Sequence, residues 1–105
     1  MSILSITFHV VPAVQTQWES FIYSGLISWL ENLQPENRFY FSEVDSHYVQ
    51  EGRNYNLLLI FKDAHQRQLF SEQDIFGLVE KVEEKFSPQE VMIFNTLLNK
   101  IHHNL

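Results

Sequence analysis

Residues 54–63 read NYNLLLIFKD, and within them Leu57, Leu58, Leu59, Ile60 and Phe61 are apolar at both parities. Successive side chains of a strand point to opposite faces, so a strand with one face in water is apolar only at alternate positions. This stretch needs cover on both faces. Leu57, Leu59 and Phe61 form the parity without a polar interruption and are assigned to the core. Leu58 and Ile60 share their parity with Asn56 and Lys62 and are assigned to the second face. The fold follows from what covers each.

Residues 3–11, ILSITFHVV, alternate in the same way. Leu4, Ile6, Phe8 and Val10 take one face, and Ser5, Thr7 and His9 the other. Pro12 ends this strand and suits the first turn of a helix. Residues 13–33 are predicted helical, with Trp18, Ile22, Trp29 and Leu33 on one stripe flanked by Phe21, Leu26 and Leu30. Tyr23 and Ile27 fall outside that stripe, so the helix is apolar over a wide arc. Pro35 stops it.

Residues 38–50 are aromatic and β-branched, an edge-type strand whose Glu43 and Asp45 guard against stray pairing. The turn QEGRN folds it back onto the opening stretch as a hairpin. Asp63, with Gln66 three residues on, resembles a capping box for a second helical region. That pattern falters at Ser71, where SEQD offers a cap for a new segment, so a kinked or broken helix is expected. Ile75, Phe76, Leu78, Val79, Val82 and Phe86 continue it, and Ser87-Pro88 ends it. Residues 91–101, beginning VMIF, are read as a last strand.

The order β-α-β-β-α-β predicts an α+β chain of ferredoxin-like type. It has a four-stranded antiparallel sheet with two helices on one face. The helices leave the second face open. Burying a side chain such as Leu58 or Ile60 is worth about 1.5–3 kcal/mol, and the simplest cover is a second copy of the same sheet about a two-fold axis. A homodimer, with its second face buried and Leu58 and Ile60 in the interface, is the expectation.

The totals set limits. A chain of 105 residues, 45% hydrophobic and 14% aromatic with three Gly and three Pro, is one folded domain spanning 1–105. A net charge of −6 argues against nucleic acid and anionic membrane as partners. Without Cys there is no disulfide, iron–sulfur cluster or thiolate zinc site. MSILSITFHVVP lacks a basic leader region, and no apolar run approaches a membrane span. A cytoplasmic protein is expected.

WESF at residues 18–21, YNLLLIF at 55–61, EEKF at 83–86 and VMIF at 91–94 resemble a small bacterial family of unknown function. Its members are of the dimeric α/β-barrel, ferredoxin-like type. The resemblance covers nearly the whole chain and implies that fold and a dimer, but no chemistry. The family pattern has a His-Ile-Pro tripeptide where this chain has Leu26-Ile27-Ser28, and a His where it has Asp74. The resemblance thus implies that any function of those histidines is lost here.

His9, with Ser5 and Thr7 on its face, is the candidate acid or base of a small polar pocket at the dimer interface. Asn56 and Asn95 are candidate ligand-binding partners, and Lys62 and Asn99 share the expected parity. The plainer and preferred reading is a histidine hydrogen-bonded at a wet interface, because no orienting partner is evident. His102 and His103 are adjacent on an extended tail and chelate poorly, and His47 and His65 are read as surface residues. Glu43 and Asp45 are read as a solvated edge. Trp18 and Trp29, eleven residues apart on one helix face, are read as core or interface. No metal and no cofactor are expected, and no phosphate loop or nucleophile elbow is present. Two function classes remain. The preferred one is a non-enzymatic homodimer that binds a partner or small ligand. The other is a small dimeric-barrel enzyme, of cofactor-independent monooxygenase or isomerase kind, working around His9.

Overall fold

A computed structural model of the chain describes residues 1–33, 38–45 and 52–102. Strand β1 (Ser2–Val10) is followed by a 3₁₀ turn (Pro12–Val14) and by helix α1 (Gln15–Phe21), a π turn (Ile22–Leu26) and helix α2 (Ile27–Leu33). Strands β2 (Arg38–Glu43) and β3 (Arg53–Phe61) come next. Helix α3 (Ala64–Leu69), a second π turn (Phe70–Asp74), helix α4 (Ile75–Glu83) and strand β4 (Val91–Leu98) complete the chain. The strands form one antiparallel sheet in the order β2-β3-β1-β4.

Period two and register decide which side chains meet. Leu4 pairs with Leu59, Ile6 with Leu57 and Phe8 with Tyr55 across β1 and β3, and all six are buried. Both helical stretches pack on that face. Trp18 lies against Phe8 at 5.1 Å between ring centroids, and Phe70 against Phe61 at 5.5 Å. Trp18 centres an aromatic cluster that also takes in Phe21, Tyr55 and Phe86. Its indole Nε1 is buried without a hydrogen-bond partner, a cost of about 1–3 kcal/mol set against burial of the largest ring in the core.

The π turns alter the helix stripes. Each adds one residue to a turn, which rotates everything after it by about 100° relative to an uninterrupted helix. In the first helix the buried series runs Trp18, Phe21, Ile22, Leu26 and Leu30. Trp29 and Leu33, expected on the inward stripe, are half-buried at its flank, where Trp29 packs over Gly77 of α4. Tyr23 is 81% exposed.

In the second helix the irregularity expected at Ser71 is found, as the π turn Phe70–Asp74 and not as a break in the chain. The chain stays helical through the π turn, and Ser71 Oγ donates to the Arg67 carbonyl 2.9 Å away instead of capping a new segment. The expected start is found. Asp63 is extended and its carboxylate accepts from the Gln66 backbone N–H at 2.9 Å. Asp63→Ala removes this cap and should cost about 1 kcal/mol in a urea melt, whereas Asp63→Asn should cost little.

Two other boundaries are shorter than expected. Strand β4 ends at Leu98, and β2 ends at Glu43, so Asp45 lies past the strand and the two carboxylates do not share a strand face. Pro35, His47, His103 and residues 46–51 of the expected hairpin lie outside the described residues.

Candidate functional site

The face of the sheet away from the helices is built by the residues of opposite parity. Four cross-strand rows define it. Arg38, Ile60, Ile3 and Leu98 make the first, and Tyr40, Leu58, Ser5 and Thr96 the second. Ser42, Asn56, Thr7 and Phe94 make the third, and Asn54, His9 and Met92 the last. Leu58 and Ile60 are half-buried, while Tyr40, Phe94, Met92 and Leu98 are exposed.

The polar groups at the centre of this face satisfy one another. Asn56 Nδ2 donates to Ser5 Oγ at 2.8 Å and lies 3.4 Å from Thr7 Oγ1. His9 Nδ1 lies 2.7 Å from Asn54 Oδ1. An amide oxygen can only accept, so Nδ1 carries the proton and Nε2 keeps its lone pair when the ring is neutral. Gly52 leaves the ring its room: a Cβ on it would stand 3.3 Å from His9 Cε1.

Asn95 does not join this group. It pairs with Ile6, a residue of the helix-covered face, and lies in a groove of about 390 Å³ between α4 and β4 with Ile75, Val79 and Glu83. Strand β4 has apolar residues at both parities, so its lone Asn does not mark the open side.

A second concave region lies on the other face, between the first helix and the β2 edge. It is a cleft of about 340 Å³ lined by Glu19, Ile22, Tyr23, Ile27, Phe41, Glu43 and Tyr55. The Tyr55 hydroxyl donates to Glu19 Oε1 at 3.1 Å. Burial, then that bond and the negative charges of Glu19 and Glu43, push the Tyr55 hydroxyl up to about 12 from the usual 10.0. The unfolded chain loses this proton first, so the stability Tyr55 contributes is intact below pH 10 and is lost as pH rises through 10 to 12. Tyr55→Phe should flatten this limb in urea melts taken from about pH 9 to pH 12.

Residues 1–101 match the family model of a domain of unknown function, DUF4286. The chain belongs to that family. No curated protein and no solved structure matches it. Membership covers the same length as the resemblance drawn from WESF, YNLLLIF, EEKF and VMIF, and it assigns the DUF4286 chain no reaction.

Of the candidates read from the DUF4286 sequence, the structure brings together Ser5, Thr7, His9 and Asn56 and separates Asn95 from them. Reading the sequence missed Asn54, the orienting partner that His9 has after all. The signal was present: Asn54 and Asn56 share the parity of Leu58, but only the register reveals which of them meets His9. It also missed Glu19 and Tyr55, thirty-six residues apart. His65 and His102 are exposed. Glu43 forms a loose pair with Arg53, Nε to Oε1 3.8 Å. Among the described residues no three His, Asp or Glu side chains converge as a metal would need, and no helix is long and apolar enough to cross a membrane.

Proposed function

We propose that this DUF4286 chain is a non-enzymatic self-associating module of ferredoxin-like type. In this reading the open sheet face of one copy packs on that of a second about a two-fold axis. Strand order β2-β3-β1-β4 with helices after β1 and β3 supports the fold type.

The observation that carries the dimer is the charge of the open face. The chain has thirteen acidic residues and a net charge of −6, yet none of the fifteen residues in the four rows is Asp or Glu, and only Arg38 is charged. Two acidic chains repel least where the facing surfaces carry no carboxylate, and here they would meet with Ile3, Tyr40, Leu58, Ile60, Met92, Phe94 and Leu98. The four strands and seven-residue span give a plane of roughly 19 by 23 Å, of the size of the largest patch on a typical monomer, and seven of its fifteen residues are apolar. One Arg is too little for a nucleic-acid surface. Light scattering over a wide concentration range tests the reading. A two-chain mass is expected, and a one-chain mass at the highest concentration rejects it.

One observation favours a second reading, in which the enclosed polar strip is an active-site pocket. The 2.7 Å bond to Asn54 holds the His9 ring as a general base is held. His9→Ala separates the two readings. The dimer should persist with its stability nearly unchanged if His9 only lines an interface, and a ligand that protects wild type but not the variant from thermal unfolding would favour the pocket.

A further inference from the structure

The cleft beside Tyr55 lies on the opposite side of the sheet from the open face and plays no part in the association. Its walls are of two kinds. Ile22, Ile27 and Phe41 are apolar, and Tyr23, 81% exposed, stands at the rim. Glu19, Glu43 and the Tyr55 hydroxyl supply the polar groups. Its origin is architectural. Phe41 and Glu43 are successive inward positions of the edge strand β2, Glu43 pairs in register with Tyr55, and the first helix passes over them with its Glu19, Tyr23 and Ile27 flank. At about 340 Å³ it is at the small end of ligand pockets.

The wall chemistry selects the occupant. A neutral or anionic molecule closing over Glu19 would strip water from a carboxylate and return no charge, which is costly. A metal ion needs a third converging ligand, and no such group of three exists among the described residues. An organic cation meets both requirements: its ammonium is matched by Glu19 and Glu43, and its hydrocarbon by Ile22, Ile27 and Phe41. Tyr23 adds an aromatic ring at the rim, a group that attracts cations. Arg53 is set against Glu43, 3.8 Å away and itself half-exposed, and such surface pairs hold weakly.

We propose that the cleft between the first helix and the β2–β3 edge is a binding site for a small amine with an apolar or aromatic arm, its ammonium held between Glu19 and Glu43. Arg53 is then the internal competitor for Glu43. The two residues therefore have opposite effects. Glu43→Gln removes an attraction, and Arg53→Gln releases one.

Isothermal titration of the intact chain with 2-phenylethylamine tests this, with 2-phenylethanol and 3-phenylpropionate as the neutral and anionic counterparts. The amine should bind at one site per chain, at least about ten-fold more tightly than the alcohol, while the carboxylate should not bind. Glu43→Gln should weaken the amine several-fold and Arg53→Gln should tighten it, and thermal melts should confirm that both variants remain folded. Both positions are about half-exposed, so neither substitution endangers the core. Trp18, whose ring centroid is 6.0 Å from that of Tyr55, gives an independent fluorescence readout. Equal affinity for the alcohol, no saturation with the amine, or an Arg53→Gln variant that binds no more tightly than wild type would overturn the proposal.

Discussion

Leu59→Lys should leave the chain unfolded, while Leu58→Lys, one residue away, should leave it folded and drive the proposed dimer apart. Leu59 is fully buried, paired with Leu4 on one side and Phe39 on the other. Lysine there loses about 2–5 kcal/mol of packing and must also bury an ammonium or give up its proton. The sum rivals the whole stability of a domain this size, about 5–15 kcal/mol. Leu58 is half-exposed on the open face between Tyr40 and Ser5, so a lysine there can keep its charge in water within an isolated subunit. In a two-fold dimer each substitution occurs twice, and losing two leucine burials of about 1.5–3 kcal/mol each should weaken association at least about a hundred-fold. Circular dichroism distinguishes unfolded from folded, and light scattering distinguishes one chain from two. A Leu58→Lys protein that dimerises as wild type does would mean that Leu58 is not in the interface.

These contrasting outcomes come from one feature of the sequence, the uninterrupted apolar parity of Leu57, Leu59 and Phe61. Period two is a geometric property of an extended chain, so parity could be read without knowing any contact. Pro12, Asp63 and Pro88 were legible for a similar reason, since each acts on the backbone beside it. Features set by long-range geometry were not legible. The π turns at residues 22–26 and 70–74 rotate the helix stripes, and nothing in a stretch apolar over so wide an arc as WESFIYSGLISWL shows where the extra residue enters. The displaced Trp29 is the consequence. Asn95 was misplaced because β4 is apolar at both parities, and the face of its polar residue depends on pairing with Ile6. The His9–Asn54 and Tyr55–Glu19 pairs needed, respectively, the strand register and the helix azimuth. The open face itself was legible, as an apolar excess that a two-layer fold cannot absorb.

The second large effect is expected at Gly52. Its φ of +134° is a conformation that side-chain-bearing residues rarely adopt, and holding one there costs about 1–3 kcal/mol. Space adds a further penalty. A Cβ on Gly52 would stand 2.3 Å from the Val10 carbonyl oxygen and 3.2 Å from its carbon. These are backbone atoms, and Val10 is held in the sheet between Arg53 and Val91, so no side-chain rotation relieves the contact and the end of β1 must move. Gly52→Ala should therefore lose about 3 kcal/mol or more, a fall of roughly 12–24 °C in Tm for a chain of this length. Because the new methyl also presses on His9 Cε1, the His9 ring resonances should shift with it. Gly25 supplies the control. It lies within the first π turn, and a methyl added there would meet nothing within 4 Å, so Gly25→Ala should gain about 0.5–1 kcal/mol by restricting the unfolded chain. The same chemical change thus carries opposite signs at two glycines. A Gly52→Ala protein as stable as wild type would mean that Gly52 does not hold the positive φ against Val10 on which the cost depends.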